Sequence, residues 1–169
     1  WGSTIEIEAV VHPLGNREKG TIHFNDTAGS MARDSVTNAS SVVRMITGKN
    51  LSDYDVHVNV VGGGNIDGPS AGAAITCAII SALTGKPLRQ DIAVTGEISL
   101  SGRIKPVGGI AEKAFGAHQG GMKAILIPKQ NAPDMGSEYM HMKVIPVDTI
   151  QDILEHMLVR KKQTMKGSK

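Results

Sequence analysis

The stretch Asp55-Val56-His57-Val58-Asn59-Val60-Val61, followed by Gly62-Gly63-Gly64-Asn65-Ile66-Asp67-Gly68-Pro69-Ser70-Ala71-Gly72, reads as a strand, a glycine loop and the mouth of a helix. Val56, Val58 and Val60 alternate with His57 and Asn59, as they would on a strand with one buried face. Three consecutive glycines leave the backbone too free for regular structure. Pro69 sets φ near the helical value and needs no hydrogen-bond partner at a first helical position, with Asp67 or Gly68 as N-cap. Ala71, Ile75, Ala78, Ile79, Ala82 and Leu83 then recur at helical spacing until Gly85.

Working outward, Thr4–Val11 alternates as a strand, Leu14–Lys19 turns, and Thr21–Phe24 reads as a second strand. Ala28–Ile46 carries helical spacing through Met31, Val36, Val42, Val43 and Ile46, and stops at Gly48. Ile92–Thr95 is a strand, and Ile98–Val107 is a hairpin turning at Ser101-Gly102. Gly108-Gly109 opens a further helix. Met122–Ile127 and Val144–Pro146 complete the strands, and Ile150–Leu158 is an amphipathic closing helix. Strands and helices alternate irregularly with hairpins among them, so the predicted class is α/β with a mixed sheet (α+β). Residues 1–159 form one domain in this reading, and 160–169 a basic, disordered tail.

The placement of Ser70 and Lys113 carries the chemistry. Ser70 is expected in the first helical turn, where unpaired backbone N–H groups and the positive end of the helix dipole point outward. Such a position stabilises an oxyanion, although a serine there is commonly just a cap. Lys113 falls on a stripe with Ile110, Ala114 and Ala117, while Glu112, Gly116 and Gln119 lie elsewhere. A lysine among alanines either snorkels to water or loses its proton. Desolvation lowers a lysine pKa, and only the neutral amine can take a proton from a hydroxyl. A serine nucleophile with a lysine base is the hydrolytic reading of the pair.

These residues resemble the proteolytic domain of Lon proteases. The resemblance is carried by Asp67-Gly68-Pro69-Ser70-Ala71-Gly72, Ala93-Val94-Thr95-Gly96-Glu97-Ile98-Ser99-Leu100, Gly102-Arg103-Ile104-Lys105-Pro106-Val107-Gly108-Gly109, and Glu112-Lys113 through Ile127-Pro128. Several motifs recur in the right order over nearly the whole chain, more loosely before residue 50. The resemblance implies the Lon proteolytic fold, similar to ribosomal protein S5 domain 2-like folds. It implies a serine endopeptidase with Ser70 as nucleophile and Lys113 as base, supported by Thr95 near the lysine and by Asp67, with backbone donors around Gly68, Pro69 and Ser70 for the oxyanion. It implies unfolded protein or peptide substrates and a homo-oligomer, hexameric in the full-length protein. It also implies degradation of misfolded or regulatory proteins driven by ATP and magnesium in a separate module.

This chain departs from that pattern in having no nucleotide site. Neither Thr47-Gly48-Lys49 nor Thr84-Gly85-Lys86 has the spacing or following Ser/Thr of a phosphate-binding loop. The expectation is an excised proteolytic domain, without cofactor or metal of its own, akin to the shorter bacterial or archaeal relatives. At 169 residues and 40% hydrophobic content the chain can bury a full core. Cys77, its single cysteine, excludes an internal disulfide and is expected to pack in the core. No apolar run reaches membrane-spanning length, and the predicted compartment is the cytoplasm.

The net charge of +2 is set by the tail. Without Arg160, Lys161, Lys162, Lys166 and Lys169, the 18 basic residues fall to 13 against 16 acidic ones. With aromatics at 3%, stacking platforms are missing as well, so nucleic-acid binding is not expected.

Three rival readings exist. Gly68-Pro69-Ser70-Ala71-Gly72 also fits a G-x-S-x-G elbow, with Asp134 and His141 following in α/β-hydrolase order. His57, on its strand, is a second candidate base, and His118 is expected to be solvated. A glycine loop before a helix could instead cradle phosphate, as in small-molecule kinases, but would leave Lys113 without a role. A non-catalytic Lon-like assembly module would not need both dyad residues. Glu97 could tune the site, against its reading as a solvated strand-end carboxylate.

Overall fold

The computed structural model describes residues 6–15, 19–25, 30–61 and 71–159. Three strands form the first sheet: β1 (Glu6–Pro13), β2 (Ile22–Phe24) and β3 (Tyr54–Val61), in the order β1-β3-β2. β1 runs antiparallel to β3 with Glu6 opposite Val61 and Pro13 opposite Tyr54, and β2 runs parallel to it. The predicted alternation is present. Ile7, Ala9 and Val11 face inward beside the buried Val56, Val58 and Val60, and His57 and Asn59 face out.

Helices α1 (Ser30–Thr47) and α2 (Gly72–Thr84) pack together against this sheet. Gly48 and Gly85 end them in the left-handed conformation that glycine adopts without Cβ strain, at φ 72° and 67°. Val42, Val43, Val56, Ile75 and Ile79 are all completely buried or nearly so in the core between these layers. Cys77 lies there too, and burial pushes its thiol up to about 12, so it packs as an apolar side chain.

The second sheet contains β4 (Ile92–Val94), β7 (Ala124–Pro128), β8 (Glu138–Tyr139) and β9 (Met142–Val147), in the order β4-β7-β9-β8. β4, β7 and β9 are parallel, and β8 is an antiparallel edge. β7 is buried on both faces. Leu126 joins the first core, whereas Ile125 and Ile127 join a second core under α3 (Ile110–Gln119) with Ile110, Ala114, Ala117 and Val144. α4 (Ile150–Met157) closes the fold with a capping box: Thr149 Oγ1 accepts from Asp152 N–H, and the Asp152 carboxylate accepts from Thr149 N–H. The Asp148 N–H, which also donates to that carboxylate, and the Thr149 N–H hold the Asp152 carboxyl below the usual carboxylate range. Mixed parallel and antiparallel pairing agrees with the predicted class.

Several expectations need correction. The hairpin at 98–107 has strands of only two residues, β5 (Glu97–Ile98) and β6 (Ile104–Lys105). Its turn is wider than Ser101-Gly102, with Ser99 N–H donating to Arg103 O and Gly102 N–H to Ser99 O. Pro106, which has no N–H to give to a ladder, ends β6. The last strand is longer than Val144–Pro146, and its partner β8 was not predicted. α2 begins at Gly72 with Ala71 as N-cap, later than the expected cap at Asp67 or Gly68. Asp67, Gly68, Pro69 and Ser70 lie outside the described residues, as do the glycine loop at 62–66 and the 160–169 tail.

Candidate active site

The parallel strands of the second sheet place their carboxyl ends where two helix N-termini arrive. In open α/β sheets, this edge is where ligands bind. α2 precedes β4 and α3 precedes β7, and each helix runs opposite to the strand it precedes, so each presents its N-terminus at that edge. Ala73 N–H of α2 donates to Gly96 O just beyond β4 (3.1 Å), and Thr95 N–H donates to Leu126 O of β7 (3.1 Å). Gly96 is required by a different neighbour: a Cβ there would lie 2.5 Å from Ile104 Cγ2 of β6, but an ordinary 3.8 Å from Ala73 Cβ. Thr95 is 6% exposed, and Ala71, the chain neighbour of Ser70, is also buried.

Lys113 belongs to the first turn of α3. Its helix starts after Gly109, whose φ of 66° only glycine adopts freely, and Lys113 N–H donates to Gly109 O. Ile110, Ala114 and Ala117 form the expected buried stripe. Gly116, expected elsewhere, is buried too. Lys113 sits at the margin of this face and is half-buried, less deeply than its stripe position suggested. Its Nζ donates to the Gly108 carbonyl at 2.7 Å. Burial lowers the amine pKa below its ordinary 10.5, and the adjacent Glu112 carboxylate partly opposes that shift. Thr95 is not the acceptor for Nζ; that bond goes to Gly108 O. Glu97, read as solvated, is half-buried on β5 opposite Lys105.

Val107, the residue before Gly108, is held in turn by a residue that the sequence did not single out. Asn131, 5% exposed, lies in the 3-10 turn Lys129–Asp134 after β7. Its Oδ1 accepts from Val107 N–H and its Nδ2 donates to Val107 O, both at 3.0 Å. A buried asparagine three residues beyond a buried strand was the only available signal, and asparagine in turns is common.

The candidate residues of the triad reading stand apart. Asp134 Oδ2 accepts from Asn131 Nδ2 at 3.3 Å and makes no hydrogen bond to His141. His141 is exposed at the β8–β9 turn, where it and Met140 both have positive φ. His57 projects from the outer face of the first sheet, stacked on His23 at 4.7 Å between centroids. His118, expected to be solvated, is half-buried edge-on to Tyr139 at 6.2 Å. Among the described residues no group of three or more His, Cys, Asp or Glu is placed to hold a metal. No helix among them is long and apolar enough to cross a membrane.

Comparison with known proteins agrees with this fold. Residues 1–160 match the model of the Lon protease (S16) C-terminal proteolytic domain. The chain is 36% identical to an archaeal Lon protease of Pyrococcus abyssi, over 98% of this chain and 17% of that protein. It is 38% identical to Lon protease 2 of Bacillus subtilis, over 94% of this chain and 31% of that protein. It is 40% identical to a Lon protease of Haemophilus influenzae, over 89% and 19%. The chain thus spans less than a third of the length of these relatives. A mixed α/β fold with α2 and α3 opening at one sheet edge, matched along almost its whole length, belongs to the Lon protease (S16) C-terminal proteolytic-domain family.

Proposed function

We propose that this chain is a serine endopeptidase domain in which Ser70 is the nucleophile and Lys113 its general base. The half-buried Lys113 amine, with its lowered pKa, is the observation that carries this reading. A lowered pKa raises the share of neutral amine at any pH below 10.5, and only the neutral amine can accept a proton. Neutral Lys113 takes the Ser70 proton as Oγ attacks the peptide carbonyl. The resulting ammonium protonates the leaving amine, and water releases the acyl group by the reverse path. Gly68 and Ser70 supply backbone N–H donors to the oxyanion. Pro69, expected among them, has no N–H and can only shape the loop. Thr95, buried at the same sheet edge, is the supporting hydroxyl, and Asp67 an acidic modulator of the loop.

The substrates are proteins or peptides, in keeping with the relatives' names as proteases, and we assign unfolded ones to this domain. We assign ATP and magnesium use, and assembly into a hexameric ring, to a longer protein that includes an ATPase module. The domain is placed in the cytoplasm and assigned no role in nucleic-acid binding. Because nothing in this chain unfolds proteins, it should release fluorescein-labelled peptides from casein, an unstructured protein, without ATP, and leave a stably folded protein intact. Stimulation of the isolated chain by ATP, efficient digestion of the folded protein, or inertness towards casein would each overturn the reading.

A further inference from the structure

Between the end of β6 at Lys105 and the start of α3 at Ile110, the chain runs along the surface. Lys105, Pro106, Gly108 and Gly109 are exposed, and only Val107 is half-buried. A segment with two glycines and so little burial would sample many conformations unless tethered. Asn131 is the tether. Its carboxamide meets both backbone groups of Val107 as a neighbouring strand would, one donor and one acceptor at 3.0 Å each. Asp134 Oδ2 lies 3.3 Å from Asn131 Nδ2, which fixes the amide orientation: the nitrogen faces two acceptors and the oxygen faces an N–H. The residue after Val107 is Gly108, whose carbonyl takes the Lys113 Nζ bond at 2.7 Å.

We propose that Asn131 is a positioning residue for Lys113, holding the Gly108 carbonyl on which the amine rests. The inference builds on the reading of Lys113 as the base. A neutral amine has one lone pair, and anchoring one of its N–H bonds restricts where that lone pair points. A wandering Gly108 carbonyl would let the amine turn away from the hydroxyl, a loss of orientation without a loss of substrate binding. A charged donor also gains more from a carbonyl than a neutral one. Loosening the acceptor therefore disfavours the ammonium and moves the titration of the base to lower pH.

The test uses the 169-residue chain and fluorescein-labelled casein. Asn131→Asp keeps the acceptor for Val107 N–H, removes the donor to Val107 O, and sets a carboxylate beside Asp134. Adding Asp134→Asn relieves that repulsion without restoring the donor. Both should show kcat lower by about tenfold and KM within about twofold of the parent. The double variant, whose net charge equals the parent's, should also show a kcat midpoint at lower pH, whereas the added carboxylate of the single variant opposes that shift. Asp134→Ala, a change at an exposed position, frees the carboxamide orientation and should lose about twofold in kcat with KM unchanged. A parent-like kcat in a folded Asn131→Asp, or a parent-like pH midpoint in the double variant, would overturn the proposal. So would full recovery in the double variant, which would assign the loss to charge repulsion. Should the Asn131 variants not fold, an unchanged Asp134→Ala overturns it instead. Lys113→Ala, run alongside, separates the two layers. Activity surviving there removes the base reading itself, whereas loss there with unaffected Asn131 and Asp134 variants removes only this inference.

Discussion

Ser70→Ala and Lys113→Ala should each lower casein hydrolysis by about a thousandfold or more, and the double variant should be little worse than either. Residues that act as one unit do not add: once the nucleophile is gone the base has nothing to activate, and the reverse. His141→Ala and His57→Ala should keep near-parent activity, because His141 stands at an exposed hairpin tip and His57 on the outer face of the first sheet. Side-by-side kcat/KM values on folded variants, with folding checked by circular dichroism, decide the point. A dead, folded His141→Ala together with a live Lys113→Ala would replace the dyad by a histidine scheme.

Activity should rise with pH, about tenfold per unit while Lys113 is mostly protonated, and level off once the amine is neutral. The lowered pKa puts that plateau at a lower pH than an exposed lysine would. Stability follows the same proton. Below the folded-state pKa, both folded and unfolded chains carry the charge, and the folded state bears the whole burial penalty. Between that value and the ordinary 10.5, the unfolded chain binds more protons, so stability increases with pH; above 10.5 the penalty is gone. Lys113→Met removes the charge and should be inactive yet at least as stable at neutral pH, with less stability gained on going to alkaline pH. Urea unfolding of parent and variant at neutral and alkaline pH measures this. A clearly destabilised Lys113→Met at neutral pH would mean that the ammonium is engaged in a structural ion pair and is not a base.

Local rules made much of the scaffold legible. Alternation in Glu6–Val11 and Val56–Val60, the Ala/Ile spacing of α2 and the glycines at 48 and 85 each have a local physical cause, and the structure follows them. What escaped depends on partners distant in sequence. The two-residue strand β8 has too few residues to show a period, and its turn uses Met140 and His141 at positive φ, where Asn-Gly would have announced it. Which face of β7 joins which core was not legible, because β7 is apolar at every position and no alternation marks its faces. For the site, Lys113 was legible because a lysine interrupted an apolar stripe. Its depth was overread, since the residue lies at the margin of the face, and its acceptor at Gly108 had no signature in spacing. Asn131 was invisible for the same reason: a bidentate bond to Val107 spans 24 residues.

The central claim is that Ser70 is a nucleophile made reactive by Lys113. It is tested most directly by treating the chain with a fluorophosphonate at mildly alkaline pH and mapping the adduct by peptide mass spectrometry. The expected result is a single phosphonylated serine, Ser70, formed at least about a hundredfold more slowly in Lys113→Met. Modification of a different serine, or a Ser70 adduct that forms equally fast without the lysine, would contradict it.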